Sequence, residues 1–158
     1  MSEDKPMLRT LIAALLALTT PLAMAAGHWT THRDHGDLMA VAPDHHISLR
    51  LSHKSDQAVW GYLTVPITAD QLASLNKYRT DPLFPFIRVT VAVDDDNRTA
   101  QAKIDQDGMV VEAELDVQHW EELKKGRHLQ IRFPDGTHYD ESLQGSGTAL
   151  RALEQQSP

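Results

Sequence analysis

The segment FIRVTVAV, residues Phe86–Val93, has the clearest strand pattern in this chain of 158 residues. Isoleucine or valine occupies every second position from Ile87 to Val93, which is the period of a strand with one buried face. The acidic run DDDN at 94–97 follows, and Asp and Asn favour turns. The pattern therefore predicts a strand, a tight turn and a further strand at 99–104.

Similar patterns extend outward in both directions from this segment. Residues 47–52 alternate apolar and polar side chains, and residues 59–65 are rich in the aromatic and branched residues that suit a sheet. The sequence also predicts a turn at 107–108 and another at 134–136, because both contain Asp-Gly. Further predicted strands lie at 109–115, 128–133 and 137–143.

Three short helices are predicted between and after these strands. The first runs over 68–78, where Thr68 and Gln71 have the spacing of a capping box. The second runs over 117–125 and ends at Gly126, and the third begins at a capping Ser146 and continues to about residue 155. The predicted fold class is α+β, an antiparallel sheet or β-sandwich with short edge helices and a C-terminal helix.

Residues 1–25 have the order of a secretory signal peptide. Arg9 precedes the apolar run LIAALLAL at 11–18, and small residues at Ala23 and Ala25 suit a signal peptidase. The run is shorter than the roughly 20 apolar residues that a membrane-spanning helix needs. We therefore expect cleavage after residue 25 and release of residues 26–158 into the periplasm, as a single α+β domain without a membrane anchor.

Composition excludes several function classes. A net charge of −7 argues against nucleic-acid binding, which requires clustered Lys and Arg. The absence of cysteine excludes a disulfide framework and thiol catalysis. No Gly-x-Ser-x-Gly, His-Glu-x-x-His or phosphate-loop motif occurs, so we expect no enzyme and no organic cofactor. His138 with Asp140, and His119 with Glu122, are close in sequence, but closeness in sequence supplies no active-site geometry.

Histidine is the unusual residue type, with nine in the chain. Five of these histidines lie between residues 28 and 46, with carboxylates interleaved among them. Imidazole and carboxylate groups together suit Zn, Cu or Ni, so this segment predicts a transition-metal site. Cleavage after residue 25 would also expose Ala26-Gly27-His28, whose nitrogens could form the square-planar set that Cu(II) and Ni(II) prefer. The alternative is a polar, solvated segment without metal. The five predicted metal ligands are His28, His32, His35, His45 and His46.

The segment TDPLFPF, residues 80–86, combines two prolines with two phenylalanines before the strongest strand. Exposed aromatic and aliphatic anchors dominate the energy of protein–protein binding. Leu83, Phe84 and Phe86 are therefore predicted to bind a protein partner. The alternative is a loop folded over the core.

The C-terminal third resembles a known family. The pattern Ser142-Leu143-x-Gly145-Ser146-x-x-Ala149-Leu150-x-x-Leu153 is similar to the ending of small periplasmic domains related to the invasion-associated locus B family. The paired cysteines usual in that family are absent here. The resemblance covers about 30 residues, and it implies an exported β-rich domain of non-enzymatic character.

Together these observations predict a periplasmic binding module without catalysis. It would engage an envelope or secreted protein through an acidic β-rich surface, and inhibition or neutralisation of that partner is one form of this function. The alternative function is binding of Cu, Ni or Zn by the histidine-rich N-terminal segment.

Overall fold

The structure is a computed structural model that describes residues 27–44, 46–52 and 60–156. The predicted signal peptide, its cleavage site and His45 lie outside the described residues. Within the described ranges, no helix has both the length and the apolar character required to cross a bilayer.

Nine strands form one continuous antiparallel sheet, as the sequence predicts for an α+β protein. The spatial order is β1-β2-β3-β4-β7-β6-β5-β8-β9, so the hairpins around β5, β6 and β7 occupy the middle of the sheet. The strands are β1 (Thr30–Asp34), β2 (Asp37–Val41), β3 (Ser48–Leu51), β4 (Gly61–Pro66), β5 (Phe86–Val93), β6 (Asp96–Asp105), β7 (Val110–Leu115), β8 (His128–Arg132) and β9 (His138–Ser142).

The β1–β2 hairpin is the one part of the sheet for which the sequence analysis predicted no strand. His35 and Gly36 connect the strands with φ angles of 49° and 93°, and Asp34 pairs with Asp37 across them. Two consecutive residues with positive φ form a type I′ turn, whose twist matches that of the flanking strands. Gly36 is therefore part of a hairpin turn within the histidine-rich segment.

Within the described ranges, three helices accompany the sheet: α1 (Ala69–Leu75, continued by a 3-10 turn at Asn76–Tyr78), α2 (Val117–Lys125) and α3 (Ser146–Gln156). The predicted capping box of α1 is present, because Thr68 Oγ1 accepts a hydrogen bond from the Gln71 N–H at 3.2 Å. The predicted end of α2 at Gly126 is also confirmed.

The start of α3 differs in detail from the prediction. The Ser146 hydroxyl donates to the backbone carbonyl of Leu123 at 2.6 Å, so it links α3 to α2. Gly145 has a φ of 83°, and a Cβ there would lie 3.2 Å from the Cβ of His28. A glycine is therefore required at this corner by both backbone conformation and space.

A single hydrophobic core lies between the sheet and helices α2 and α3. The two ends of the sheet meet at Trp29, beside β1. Its backbone N–H donates to the Gln144 carbonyl at 3.0 Å, and its indole N–H donates to the Ser142 carbonyl at 2.6 Å. The sheet is therefore curved enough to bring Trp29, the residue before β1, against Ser142 at the end of β9.

Candidate interaction surface

Residues 80–86 form an exposed loop before β5, which we call the docking loop. Leu83 is 82% exposed and Phe84 54% exposed, while Phe86 is half-buried at the start of β5. Of the four large exposed apolar side chains in the described residues, three are Tyr78, Leu83 and Phe84. Leu83 and Phe84 therefore do not fold over the core. Whether they bind a partner stays a prediction.

The exposure of these side chains does not come from a loose backbone. The Asp81 carboxylate accepts a hydrogen bond from the Leu83 N–H at 2.7 Å, which is an Asx turn. The Thr80 N–H donates to the Phe86 carbonyl at 2.9 Å and joins the two ends of the loop. Two prolines further restrict φ. The loop presents its apolar side chains in a defined conformation.

Positive side chains flank the docking loop. Lys77 lies in the 3-10 turn, Lys103 pairs with Phe86 across β5 and β6, and Arg88 lies two residues after Phe86 on the same exposed face. Within the described part of the chain, the side chains of Lys77, Arg88 and Lys103 make neither an ion pair nor a hydrogen bond. They are free to interact with a ligand.

A shallow polar cavity of about 190 Å³ adjoins the beginning of the loop. Arg88 supplies its charged group, and threonine and glutamine side chains supply its other polar groups. The cavity is lined by Thr80, Ile87, Arg88, Thr99, Ala100 and Gln101. The Arg88 guanidinium therefore lies in a cavity that begins at Thr80, the first residue of the docking loop.

The predicted metal ligands do not converge within the described ranges. His28, His32, His35 and His46 are all exposed, and the β1–β2 hairpin separates His32 in a strand from His35 in the turn. Within residues 27–44, 46–52 and 60–156, no group of three or more His, Asp or Glu side chains is arranged so that it could hold a metal ion. Because His45 and Ala26 lie outside those ranges, metal binding stays a prediction.

The two histidine–carboxylate pairs that are close in sequence differ in the structure, and His119 and Glu122 have different partners. His119 is buried and caps α2, with its Nδ1 accepting the Asp116 N–H at 3.2 Å. Glu122 instead accepts a hydrogen bond from Arg98 Nε at 2.8 Å. This pair therefore stabilises the helix and its contact with the sheet, and it does not form a shared active site.

His138 and Asp140 do come together, on the exposed face of β9. His138 Nε2 lies 3.5 Å from Asp140 Oδ2, and His128 Nε2, from β8, lies 3.4 Å from Asp140 Oδ1. His128 was not among the residues singled out from the sequence. A sequence signal was available, because polar and apolar residues alternate in HLQIR. That alternation places His128 and Gln130 on the same face of β8.

A carboxyl pair joins the β2–β3 connection to β9. Glu141 is 7% exposed and lies opposite the buried Leu129, and its side chain hydrogen-bonds Asp44. Burial, and then the nearby Asp44, raise the pKa of Glu141 to about 8. Burial alone would raise the pKa of Asp44, but hydrogen bonds from Glu141 and the His46 N–H lower it below its ordinary value. No sequence signal marked this pair, because its members lie in different thirds of the chain.

A second cavity, of about 350 Å³, lies at the ends of β1, β2 and β3. It contains two guanidinium groups, but both already have partners. Arg50 Nη2 is 2.5 Å from Glu112 Oε2, and Arg33 donates to the Gln156 side chain. An incoming ligand would have to displace those partners.

Comparison with known proteins shows a similarity to a solved structure. No family model and no curated protein matches this chain. The chain is similar to the crystal structure of invasion associated protein B from Bartonella henselae. The two are 19% identical with a TM-score of 0.48, and the match covers 82% of this chain and 93% of the other. That protein has the name of the family that the C-terminal pattern resembles.

The sites differ in what they leave unpaired. In the 350 Å³ cavity the two guanidinium groups have partners, and in the carboxyl pair Asp44 and Glu141 bond each other. The docking loop leaves apolar area in water and unpaired cations beside it. Among these sites of the described residues, it is the one whose apolar and charged groups lack partners.

Proposed function

We propose that this protein is a periplasmic interaction module without catalytic activity, which binds an envelope or secreted protein through the docking loop. One observation carries the proposal: Leu83 and Phe84 are exposed on a loop whose backbone is held by hydrogen bonds and prolines. A module that covers part of its partner also blocks that part, so inhibition or neutralisation of the partner is the expected consequence.

The energetics of such a contact favour this loop. Full burial of a leucine or phenylalanine side chain contributes about 1.5–3 kcal/mol from removal of apolar surface from water. Association normally costs entropy when a flexible loop is ordered, and a loop already in one conformation avoids most of that cost. Leu83 and Phe84 can therefore act as the anchors around which weaker contacts form.

Export is part of the proposal, and the leader sequence supports it. We expect the protein recovered from the periplasm to begin at Ala26, because residues 23–25 have the small residues that signal peptidase recognises. Intact mass measurement of protein from periplasmic and cytosolic fractions checks this. Full-length chain found only in the cytosol would contradict the periplasmic assignment.

The double substitution Leu83→Ser with Phe84→Ser tests the binding function. We expect partner affinity to fall by about 30-fold or more, because the loss of paired hot-spot anchors typically costs 2 kcal/mol or more. Stability should change by less than about 0.5 kcal/mol, since both side chains are exposed. The measurement is capture from envelope extract on immobilised protein, followed by titration of the recovered partner.

Val117→Ser is the matched control. Val117 is also a large exposed apolar side chain, but it lies at the start of α2. This variant should retain the partner at wild-type affinity. Equal recovery of every partner by the wild type and by the double variant would rule out the docking loop as the binding site.

A further inference from the structure

The charge around the docking loop is opposite to that of the whole chain. The net charge of the protein is −7, yet residues 77–88 contain Lys77, Arg79 and Arg88 against a single acidic residue. That residue is Asp81, and its carboxylate already accepts the Leu83 N–H. This segment therefore has an excess of two positive charges, and on the neighbouring strand Lys103 lies between Phe86 and Glu112, whose carboxylate is paired with Arg50.

The cations and the apolar anchors share one face of the sheet. Directly paired residues of antiparallel strands point to the same side, so Lys103 lies beside Phe86 and Gln101 beside Arg88. Phe84 packs near Phe86, with ring centroids 6.3 Å apart. A segment lying across Phe84 and Phe86 would therefore pass next to Lys103 and towards Arg88.

From this arrangement we infer that the partner presents an acidic, apolar peptide segment to the docking loop. Its apolar side chains cover Leu83 and Phe84, and an adjacent Asp or Glu forms ion pairs with Arg88 and Lys103. The carboxylate of that residue enters the 190 Å³ cavity, where Thr99 and Gln101 offer hydrogen bonds beside the Arg88 guanidinium. This inference rests on the proposed function and names the chemistry of its partner.

An anionic membrane is the other surface that attracts apolar and basic side chains together. Polybasic membrane-binding segments typically use four to eight Lys or Arg residues. Beside the docking loop, three cations (Lys77, Arg88 and Lys103) have no ion pair within the described part of the chain, and the remainder of a chain with a net charge of −7 would be repelled by anionic lipid. The shallow polar cavity at Arg88 also suits a single carboxylate better than a flat headgroup layer. A protein segment therefore fits this surface best.

A random peptide library displayed on phage, selected against the purified protein, tests the inference without knowledge of the partner. We expect the wild type to enrich peptides that combine Leu, Ile or Phe with Asp or Glu. Synthetic copies of those peptides should bind the double variant Arg88→Glu, Lys103→Glu at least about tenfold more weakly than the wild type. The reason is that the two cations beside the docking loop are then replaced by carboxylates. Their affinity for the wild type should also fall as salt is raised.

A double variant with the same change in charge serves as the control. The double variant Arg127→Glu, Arg151→Glu replaces two cations that are neither in the docking loop nor among the cations that flank it. It should bind the selected peptides with wild-type affinity. Peptides without acidic residues, or acidic peptides that bind the Arg88→Glu, Lys103→Glu variant with wild-type affinity, would overturn the inference. If such peptides still require Leu83 and Phe84, the proposed function stands.

The remaining outcomes contradict both proposals. Failure to enrich any peptide, or enrichment of peptides that bind equally to the Leu83→Ser, Phe84→Ser variant, would remove the docking loop as a protein-binding site. A further such outcome is that the wild type sediments with vesicles of phosphatidylglycerol and phosphatidylethanolamine while it enriches no peptide. If the Leu83→Ser, Phe84→Ser variant does not sediment with them, a membrane is the occupant of the docking loop.

Discussion

Replacement of Trp120 by alanine is expected to lower the free energy of unfolding by about 3–5 kcal/mol, the usual cost of removing a large buried aromatic side chain. Trp120 is fully buried on α2, and its indole N–H donates to Glu154 Oε1 of α3 at 2.9 Å. Its ring also lies over Gly61 at the start of β4, where an added Cβ would be 2.7 Å from Trp120 Cζ3. The side chain therefore holds both helices onto the sheet.

Urea unfolding followed by far-ultraviolet circular dichroism measures this effect. Val117→Ala on the same helix is the control, and it should cost less than about 0.5 kcal/mol because Val117 is exposed. If Trp120→Ala fails to fold, Gly61→Ala perturbs the same region, where an added Cβ would lie 2.6 Å from the Arg50 carbonyl oxygen and 2.7 Å from the Trp120 ring. There the added methyl group should cost about 1–3 kcal/mol through overpacking. A loss below 1 kcal/mol in both variants would show that this contact is not central to the core.

The stability of the wild-type protein is expected to fall as pH rises from about 4.5 to about 8. The pKa of Glu141 is raised from 4.5 to about 8 in the folded state, so the folded protein binds a proton that the unfolded chain has released in this range. The stabilising contribution of the protonated group is complete below pH 4.5 and is lost through pH 8. One proton changes the free energy by at most about 1.4 kcal/mol per pH unit, or about 4 kcal/mol between pH 5 and 8.

Glu141→Gln should remove most of this pH dependence. The amide is neutral at every pH and still donates a hydrogen bond to Asp44, so the variant should be more stable than the wild type at pH 8. Asp44 does not affect the comparison, because its pKa is lowered and its contribution is lost only in more acidic solution. Urea midpoints at pH 5, 6.5 and 8 give the result.

Glu114→Gln provides the comparison for Glu141→Gln. Glu114 lies on β7 and makes no ion pair or hydrogen bond within the part of the chain that the structure describes. Its substitution should leave the wild-type slope with pH unchanged. An identical slope in the wild type and in Glu141→Gln would show that Glu141 is not the group that binds the proton.

The elements that could be predicted are those with local causes. The β5 pattern depends on the alternation of side chains along one segment, and the start of α1 depends on Thr68 and Gln71, three positions apart. The β1–β2 hairpin could not be predicted from alternation, because TTHRD has no apolar side chain and all five residues are exposed. Strand β1 forms because the turn at His35 and Gly36 brings it back against β2, with which it pairs.

The candidate site was predicted only in part. Leu83, Phe84 and Phe86 were identified from residue type, but net charge suggested an acidic binding surface, and the docking loop has cations around it. A net charge is a sum over the whole chain and contains no information about position. Lys103 reaches Phe86 only because β6 pairs with β5 in this register.

By itself, the sequence determined the α+β class, the positions of most strands, the helix ends at Thr68 and Gly126, and a loop rich in proline and phenylalanine. These depend on interactions between residues a few positions apart. Only the tertiary structure decided that Leu83 and Phe84 face solvent, that Lys103 lies beside Phe86, and that Asp44 meets Glu141. Exposure, local charge and the pKa of a buried carboxyl depend on neighbours that are distant in sequence, and folding brings those neighbours together.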